Sequence, residues 1–329
     1  MRCAVSYNCV FVIGPTAVGK TAIGVRLADA FDGEIISADS RQVYKGLDIG
    51  TGKDLADYDI VDSFGNEKHI PYHIIDVCDL SKEYNLFDFQ EDFYKAFSDI
   101  SARGKLPICV GGTGMYVDSI LRSYDMIEVP ENPEEKAALK AKSYDELKSI
   151  LIEEKEKLHN TTEFGDKDRI IKAILINRFS KTAEYSELKR KMQESRPKIE
   201  PLVICTTLDR KLVRARIAAR LRARMGEGLI EEIDGLHKAG WSFERLESLG
   251  LEYRFVSLYL QGEYGEVGSD GAREKLFELL NRAIGQFAKR QETWFRGMEK
   301  KGVKIHWLPE EMDVEKRFEA AKDLLLDRR

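Results

Sequence analysis

The chain has 329 residues, of which 43% are hydrophobic and 33% are charged, and its formal net charge is −5. This composition indicates a globular protein with a large core and argues against a disordered chain. No apolar run approaches the roughly 20 residues that a membrane helix needs, and no small-residue cleavage site follows CVFVI near the N-terminus. We therefore expect a cytoplasmic protein with no membrane partner, which would meet any nucleic acid through local basic patches.

The five cysteines stand singly beside apolar segments. They show neither the CxxC spacing of a zinc or redox site nor the even number of a disulfide framework. We expect reduced core thiols at Cys3, Cys9, Cys78, Cys109 and Cys205.

The first third of the chain alternates short β-like runs with helical patterns, which is typical of a parallel sheet covered by helices. The β-like runs predict strands at 10–13, 34–39, 72–76 and 107–112. Helical spacing predicts helices over about 20–31 and 87–103. The β-branched character and glycine ending of 107–112 favour a central, buried strand.

The composition shifts to Glu and Lys with helical spacing after about residue 129, beginning with PENPEE. We interpret residues 129–178 as a small all-helical insert between two parts of one α/β core, 1–128 and 179–329. Strand character returns at PLVICTTLD (201–209), and the pattern beyond it is helical with glycine breaks.

The octapeptide GPTAVGKT (14–21) follows the first predicted strand and fits the phosphate-loop pattern G-x-x-x-x-G-K-[ST]. Glycines let backbone N–H groups point at a phosphate, Lys20 supplies a positive charge, and Thr21 can ligate Mg²⁺. The strand before it and the helix behind it argue against a chance match. By itself the loop indicates a polyphosphate ligand, not a particular nucleotide.

The second predicted strand leads into ISADSRQVYKGLDIGTGK (36–53), which places Asp39 where open α/β sheets bind ligands. A carboxylate that faces a polyphosphate is unfavourable unless it takes a proton or holds a metal. An Asx turn or a helix cap is the alternative. The fourth strand ends in Gly-Gly-Thr (111–113), where a kinase or ATPase would place a metal-binding Asp, although Asp76 is another candidate for that ligand.

Six motifs follow one another over most of the chain: GPTAVGKT, EIISADSRQVYKGLDIGTGK, PYHIIDV, ARGKLPICVGGTGMY, QFAKRQETWFR and IHWLP. In these motifs the sequence resembles the tRNA dimethylallyltransferases, also called tRNA isopentenyltransferases. The resemblance implies a P-loop NTPase-like fold and transfer of a dimethylallyl group from dimethylallyl diphosphate to N6 of the adenosine 3′ to the anticodon. The phosphate loop would hold the prenyl diphosphate with Mg²⁺, and ATP would not be required.

The resemblance also implies roles for individual residues. Asp39 matches the general base, Thr113 lies where base and donor meet, and Arg220 reaches the diphosphate. The diphosphate-binding set is Gly14, Thr16, Ala17, Gly19, Lys20 and Thr21, with Thr21 as the metal ligand. The tRNA-binding set is Asp39, Ser40, Arg41, Gln42, Arg169 and Lys172. The insert would clasp the tRNA anticodon stem-loop, and we expect the enzyme to act as a monomer.

The basic run RKLVRARIAARLRARM (210–225) contains seven basic residues and no acidic one. Its apolar residues recur at i, i+4 spacing and predict a buried stripe, at Val213, Ile217, Leu221 and Met225. Arg216, Arg220 and Arg224 share an adjacent face. A solvated basic face is the alternative to a ligand-binding one. In the later basic helix, Trp294 and Phe295 are predicted to be core residues.

Three features depart from the family pattern. The insert is shorter than usual, Gly250-Leu251 replaces a Gly-Tyr pair with Tyr253 two places on, and Gly114 replaces a bulkier residue, which would widen the nearby pocket. The alternatives are an adenylate isopentenyltransferase acting on free AMP, a P-loop small-molecule kinase, and an RNA-binding protein without chemistry. The basic segments and the insert argue against the first of these, and the sequence shows no nucleotide-base pocket for the second.

Overall fold

The computed structural model describes residues 7–61, 65–130, 132–154, 166–311 and 313–326. The chain divides into two units, one formed by the segments up to Tyr124 and from Lys198 onward, the other by Asp125–Pro197.

A six-stranded sheet forms the centre of the first unit, with the strand order β5-β2-β6-β1-β7-β8. The strands are β1 Cys9–Ile13, β2 Gly33–Ser37, β3 Asp59–Val61, β4 Glu67–His69, β5 Tyr72–His73, β6 Leu106–Gly111, β7 Pro201–Cys205 and β8 His306–Trp307. Neighbouring strands of the sheet are parallel, whereas β3 and β4 form a separate antiparallel pair. The apolar strands β1 and β6 lie in the interior of the sheet, which confirms the predicted parallel α/β fold.

Helices cover both faces of this sheet. They are α1 Lys20–Ala30, α2 Leu86–Ala102, α3 Gly114–Leu121, α8 Arg210–Gly226, α9 Leu229–Lys238, α10 Phe243–Glu247, α11 Leu251–Leu260, α12 Asp270–Lys300 and α13 Val314–Leu326. Helices α1 and α13 bury Ile23, Leu27 and Leu325 on one face, and the other helices supply the core on the opposite face. Among the described residues, no helix is long and apolar enough to cross a membrane.

Two predicted strands end earlier than expected. The strand predicted over 72–76 ends at His73, because Ile74 and Asp76 adopt positive φ angles of 63° and 56° that leave the extended conformation. Asp76 therefore does not end a strand, and its carboxylate accepts a bond from the buried ammonium of Lys53. The strand predicted over 34–39 ends at Ser37, which leaves Asp39 in the loop beyond the sheet.

The second unit consists of four helices within the described residues. They are α4 Pro133–Lys140, α5 Tyr144–Glu154, α6 Lys167–Phe179 and α7 Ala183–Ser195. Their core is aliphatic and consists of Leu139, Leu147, Leu151, Ile170, Ile171 and Ile174. Arg178 adds polar links to Glu135 at 2.7 Å and to Glu154 at 2.5 Å. The predicted insert, 129–178, lies inside this unit. The unit also contains α7, which lies beyond the predicted end of the insert.

The four described cysteines, Cys9, Cys78, Cys109 and Cys205, are free and buried. Burial raises the pKa of their thiols, so they remain protonated core residues as predicted. Cys3 lies outside the described residues.

Candidate active site

The phosphate loop joins β1 to α1 and depends on left-handed backbone angles. Gly14 has φ 151°, Ala17 φ 64° and Gly19 φ 85°. A Cβ on Gly14 would lie 2.3 Å from the carbonyl oxygen of Thr206, so only glycine fits there. Gly19 precedes α1 and has no side chain to cap it, so the first N–H groups of the helix remain available to an anion.

Two cations lie at this loop. Lys20 Nζ donates to the carbonyl oxygen of Pro15 at 2.7 Å, and Arg220 on α8 donates to Thr16 Oγ1. Burial lowers the pKa of Lys20 to about 8; Asp39 partly opposes this shift and Arg220 adds to it. Burial, with Arg224 as a second cause, lowers the pKa of Arg220 to about 10. The lowered pKa values show that the charged forms of these two neighbouring cations are disfavoured in the free protein. A bound anion would stabilise the charged forms, so the values indicate an anion site.

In the C-terminal half of the basic helix α8, two of the arginine side chains on the predicted basic face are not solvated. Arg224 is only 6% exposed and bonds Asp54 at 3.3 Å, while Arg220 is partly buried against the loop. Ile217 and Leu221 are buried as predicted, whereas Val213 and Met225 are only partly buried.

Asp39 lies two residues beyond β2 at the carboxyl edge of the sheet. Its Oδ1 accepts the Arg41 N–H at 2.9 Å, which forms the Asx turn that the sequence left open. Oδ2 makes no hydrogen bond to a described residue. The turn therefore fixes the carboxylate and leaves one oxygen able to accept a proton.

Thr113 connects the end of β6 to the loop that carries Asp39. Its Oγ1 accepts the Ser40 N–H at 3.0 Å and lies 3.4 Å from Ser40 Oγ. Although Thr113 precedes α3, its hydroxyl makes no capping bond to that helix. The hydroxyl is turned toward Ser40 and does not act as a helix cap.

Gln42 uses its amide within the same loop. Nε2 donates to the Gly52 carbonyl oxygen at 3.0 Å, and Oε1 accepts from Ser37 Oγ at 3.0 Å. Both polar atoms of the amide thus form hydrogen bonds to residues near Gln42 in the chain and stabilise the loop. The assignment of Gln42 to the tRNA-binding set stays a prediction.

Gln291 on α12 links the phosphate loop to the end of β6, a role that the sequence did not indicate. Its Oε1 accepts the Thr16 N–H at 2.9 Å, and its Nε2 donates to the Gly112 carbonyl oxygen at 2.9 Å. A Cβ on Gly112 would lie 2.4 Å from this Nε2, so glycine makes room for the amide. The only feature of the sequence that could have indicated this role is the position of Gln291 within the QETWFR motif.

Glu232 on α9 orders the loop beyond Gln42. Its carboxylate accepts the N–H groups of Asp48, Ile49 and Gly50 at 2.6–3.1 Å, and the Tyr253 hydroxyl at 2.6 Å. Tyr253 is fully buried, so the aromatic residue that follows Gly250 supports this loop.

A cavity of about 570 Å³ opens in front of these groups. Its polar wall includes Asp39, Ser40, Arg41, Thr113, Arg220, Arg224 and Glu252. Its apolar wall includes Met115, Phe287 and Trp294, which are 38–44% exposed. One cavity thus offers carboxylates, guanidinium groups and an apolar surface beside the phosphate loop.

Trp294 corrects two expectations. Phe295 is fully buried as predicted, but Trp294 is 39% exposed and lines the cavity, so it is not a core residue. A Cβ on Gly114 would lie 2.4 Å from the Trp294 indole. The missing side chain at 114 therefore does not widen the pocket, because the indole occupies that space.

Arg169 and Lys172 belong to α6 of the second unit. Arg169 Nε lies 3.1 Å from Asp166 Oδ2 with 64% of its side chain exposed, and Lys172 is exposed. Ile170, Ile171 and Ile174 face the core of this unit. The helix thus presents both basic side chains to solvent.

Comparisons with known proteins agree on one family. The family model described as "IPP transferase" matches residues 42–298, and the model "Isopentenyl transferase" matches residues 7–58. The "tRNA dimethylallyltransferase 2" proteins of Treponema denticola and Syntrophotalea carbinolica are 50% and 47% identical to this chain, over 92% of it and 96% and 94% of their own lengths. The solved tRNA isopentenylpyrophosphate transferase of Bacillus halodurans is 27% identical with a TM-score of 0.64, over 97% of each chain. The chain belongs to the tRNA dimethylallyltransferase family.

Proposed function

We propose that this protein transfers a dimethylallyl group from dimethylallyl diphosphate to N6 of the adenosine 3′ to the anticodon in tRNA. The observation that carries the proposal is one cavity at the carboxyl edge of the sheet that joins Asp39 and Thr113 to Arg220 at the phosphate loop. We also propose that the protein acts as a monomer.

The leaving group requires stabilisation of negative charge. When the allylic C–O bond breaks, the diphosphate gains charge on the oxygen that bridged it to the prenyl carbon. Lys20, Arg220 and the N–H groups at the start of α1 lie together at the phosphate loop, and we assign to them the stabilisation of that charge. Charge stabilisation by preorganised donors is usually the largest contribution to such a reaction.

The nucleophile requires removal of a proton. The lone pair of an adenine amino group is delocalised into the ring, so N6 attacks poorly unless a base takes its proton as the C–N bond forms. Asp39 Oδ2 is oriented by the Asx turn and unbonded among the described residues, which suits a general base. Thr113 holds the backbone beside it through Ser40.

The donor set at the loop fits Mg²⁺. The Thr21 hydroxyl, at the first turn of α1, makes no hydrogen bond to a described side chain or backbone group, and a phosphate-bound Mg²⁺ needs only one or two protein oxygens. The described residues contain no cluster of His, Cys, Asp or Glu able to hold a metal by itself. Mg²⁺ would arrive with the diphosphate and neutralise part of its charge.

The tRNA would contribute an extruded base, since the reactive amine must leave the stacked loop to reach a cavity. Ser40 and Arg41 lie in the cavity wall, and Gln42 follows them. In the second unit, Arg169 and Lys172 are the proposed phosphate contacts of a clasp on the anticodon stem-loop. These contacts would add salt-dependent affinity without reading sequence.

Donor use should fall as the pH rises through about 8. Lys20 is the group with that pKa in the free enzyme, and its charged form is needed to hold the diphosphate. We expect the KM for dimethylallyl diphosphate to rise above pH 8 and the KM for tRNA to stay flat. Lys20→Arg keeps the charge at all these pH values, so its donor KM should not rise in this window. An equal rise in the variant would assign the titration to another group.

A direct test compares two acceptors. We expect the protein with Mg²⁺ and dimethylallyl diphosphate to prenylate an anticodon stem-loop that carries consecutive adenosines 3′ to the anticodon, and to leave free AMP unmodified. Equal turnover of AMP would indicate an adenylate isopentenyltransferase. Transfer of phosphate from ATP instead would indicate a kinase.

A further inference from the structure

Arg317 on the C-terminal helix α13 is a buried cation without a carboxylate partner. Its side chain is fully buried, and it forms no ion pair with a described residue. Nη1 donates to the Val18 carbonyl oxygen at 2.5 Å and to Thr206 Oγ1 at 2.8 Å. Nε and Nη2 have no partner among the described residues. A buried, unpaired guanidinium is costly and calls for an explanation.

The bond to Val18 fixes the orientation of one peptide of the phosphate loop. In a trans peptide the C=O and the following N–H point in opposite directions. Because Arg317 holds the Val18 carbonyl from the α13 side, the Gly19 N–H points away from α13. Arg317 Nη2 also lies within 3.4 Å of the position that a Cβ on Gly19 would occupy, so the guanidinium lies directly behind the loop.

The same guanidinium holds the loop to the end of β7. Thr206 follows β7, and its carbonyl oxygen lies against Gly14 at the start of the loop. Arg317 therefore contacts both sides of the loop, at Val18 directly and near Gly14 through Thr206. Its charge lies next to the loop; the carboxylate of Asp313 offsets part of this charge without forming an ion pair with it.

We propose that Arg317 is a positioning residue of the donor site, which orients the Val18–Gly19 peptide toward the diphosphate and whose charge the bound diphosphate compensates. The C-terminal helix α13 is thereby part of the donor site. The inference rests on the proposed function in one respect, because that function identifies the donor as a prenyl diphosphate. The binding measurement that tests the inference needs only inorganic pyrophosphate.

The test is calorimetric titration of the full chain with inorganic pyrophosphate and Mg²⁺, paired with steady-state kinetics. Arg317→Met should weaken pyrophosphate binding about tenfold or more and raise the donor KM similarly, as loss of a charge-assisted bond does. The KM for tRNA should not change. Arg317→Lys, which keeps the charge but loses the planar guanidinium that places Nη1 between Val18 and Thr206, should show a loss of only a few fold.

Lys316→Met is the matched control, because it removes the same charge from the preceding residue of the same helix, where the side chain is 66% exposed. It should bind pyrophosphate like the wild type. Wild-type pyrophosphate affinity in folded Arg317→Met would overturn the proposal, as would an equal rise in both KM values. If Arg317→Met does not fold, wild-type affinity in Arg317→Lys would overturn it. Failure of the wild type to prenylate tRNA would refute the proposed function and leave the pyrophosphate titration to decide the role of Arg317.

Discussion

Asp39→Asn should lower kcat for tRNA prenylation by about 100-fold or more, the range attributed to a positioned general base. The asparagine amide retains an oxygen that can accept the Arg41 N–H, so the Asx turn and the loop geometry persist. The lost property is basicity at Oδ2. Because ground-state contacts remain, the affinity for tRNA should stay within about twofold. Single-turnover kinetics with prebound tRNA and donor would separate the chemical step from binding.

Asp29→Asn is the matched control for this change. Asp29 lies on α1 and pairs with Lys68 on the surface, at 2.6 Å. Its loss should leave turnover unchanged. If Asp39→Asn prenylates tRNA at the wild-type rate, Asp39 is not the base.

Arg220→Ala should lower kcat/KM for dimethylallyl diphosphate by about 100-fold, as removal of one donor from a preorganised anion site does. Arg220 is partly buried beside Thr16, so water replaces its charge poorly in that position. The KM for tRNA should change little. The measurement is donor kinetics at saturating stem-loop.

Arg222→Ala, on the same helix, controls for general loss of positive charge. Arg222 is exposed and stacks on Phe277 at 4.3 Å, away from the cavity lining. It should keep wild-type donor kinetics. Unchanged kinetics in Arg220→Ala would mean that another arginine holds the diphosphate, and Arg224 would be the next to test.

The sequence predicted the parts of the site that depend on local spacing. The phosphate loop follows from eight consecutive residues, and the placement of Arg220 on one helical face follows from i, i+4 periodicity in α8. The second-strand loop placed Asp39 at the edge of the sheet because parallel strands share their carboxyl edge.

The parts that the sequence did not predict depend on contacts between distant segments. Gln291 meets Thr16 across 275 residues, and Arg317 meets Val18 across 299. Neither pairing has a local pattern, since each arises only when α12 and α13 pack beside the loop. Trp294 was misplaced for a related reason: periodicity does not distinguish a core face from a cavity face that is also apolar.

The strand predicted over 72–76 failed for a different reason. The segment contains Tyr72 and two β-branched isoleucines, which favour a strand, but Ile74 adopts φ 63°, a conformation that is rare for isoleucine and that the composition does not predict. The segment turns there, which lets Asp76 reach the ammonium of Lys53.

The most direct test of the proposed reaction is mass spectrometry of nuclease fragments from tRNA incubated with the protein, Mg²⁺ and dimethylallyl diphosphate. We predict one added dimethylallyl group, on the adenosine immediately 3′ to the anticodon, and about 100-fold less of this product or lower in the same initial period with Asp39→Asn. Unmodified tRNA, or a prenyl group on any other nucleoside, would contradict the proposal.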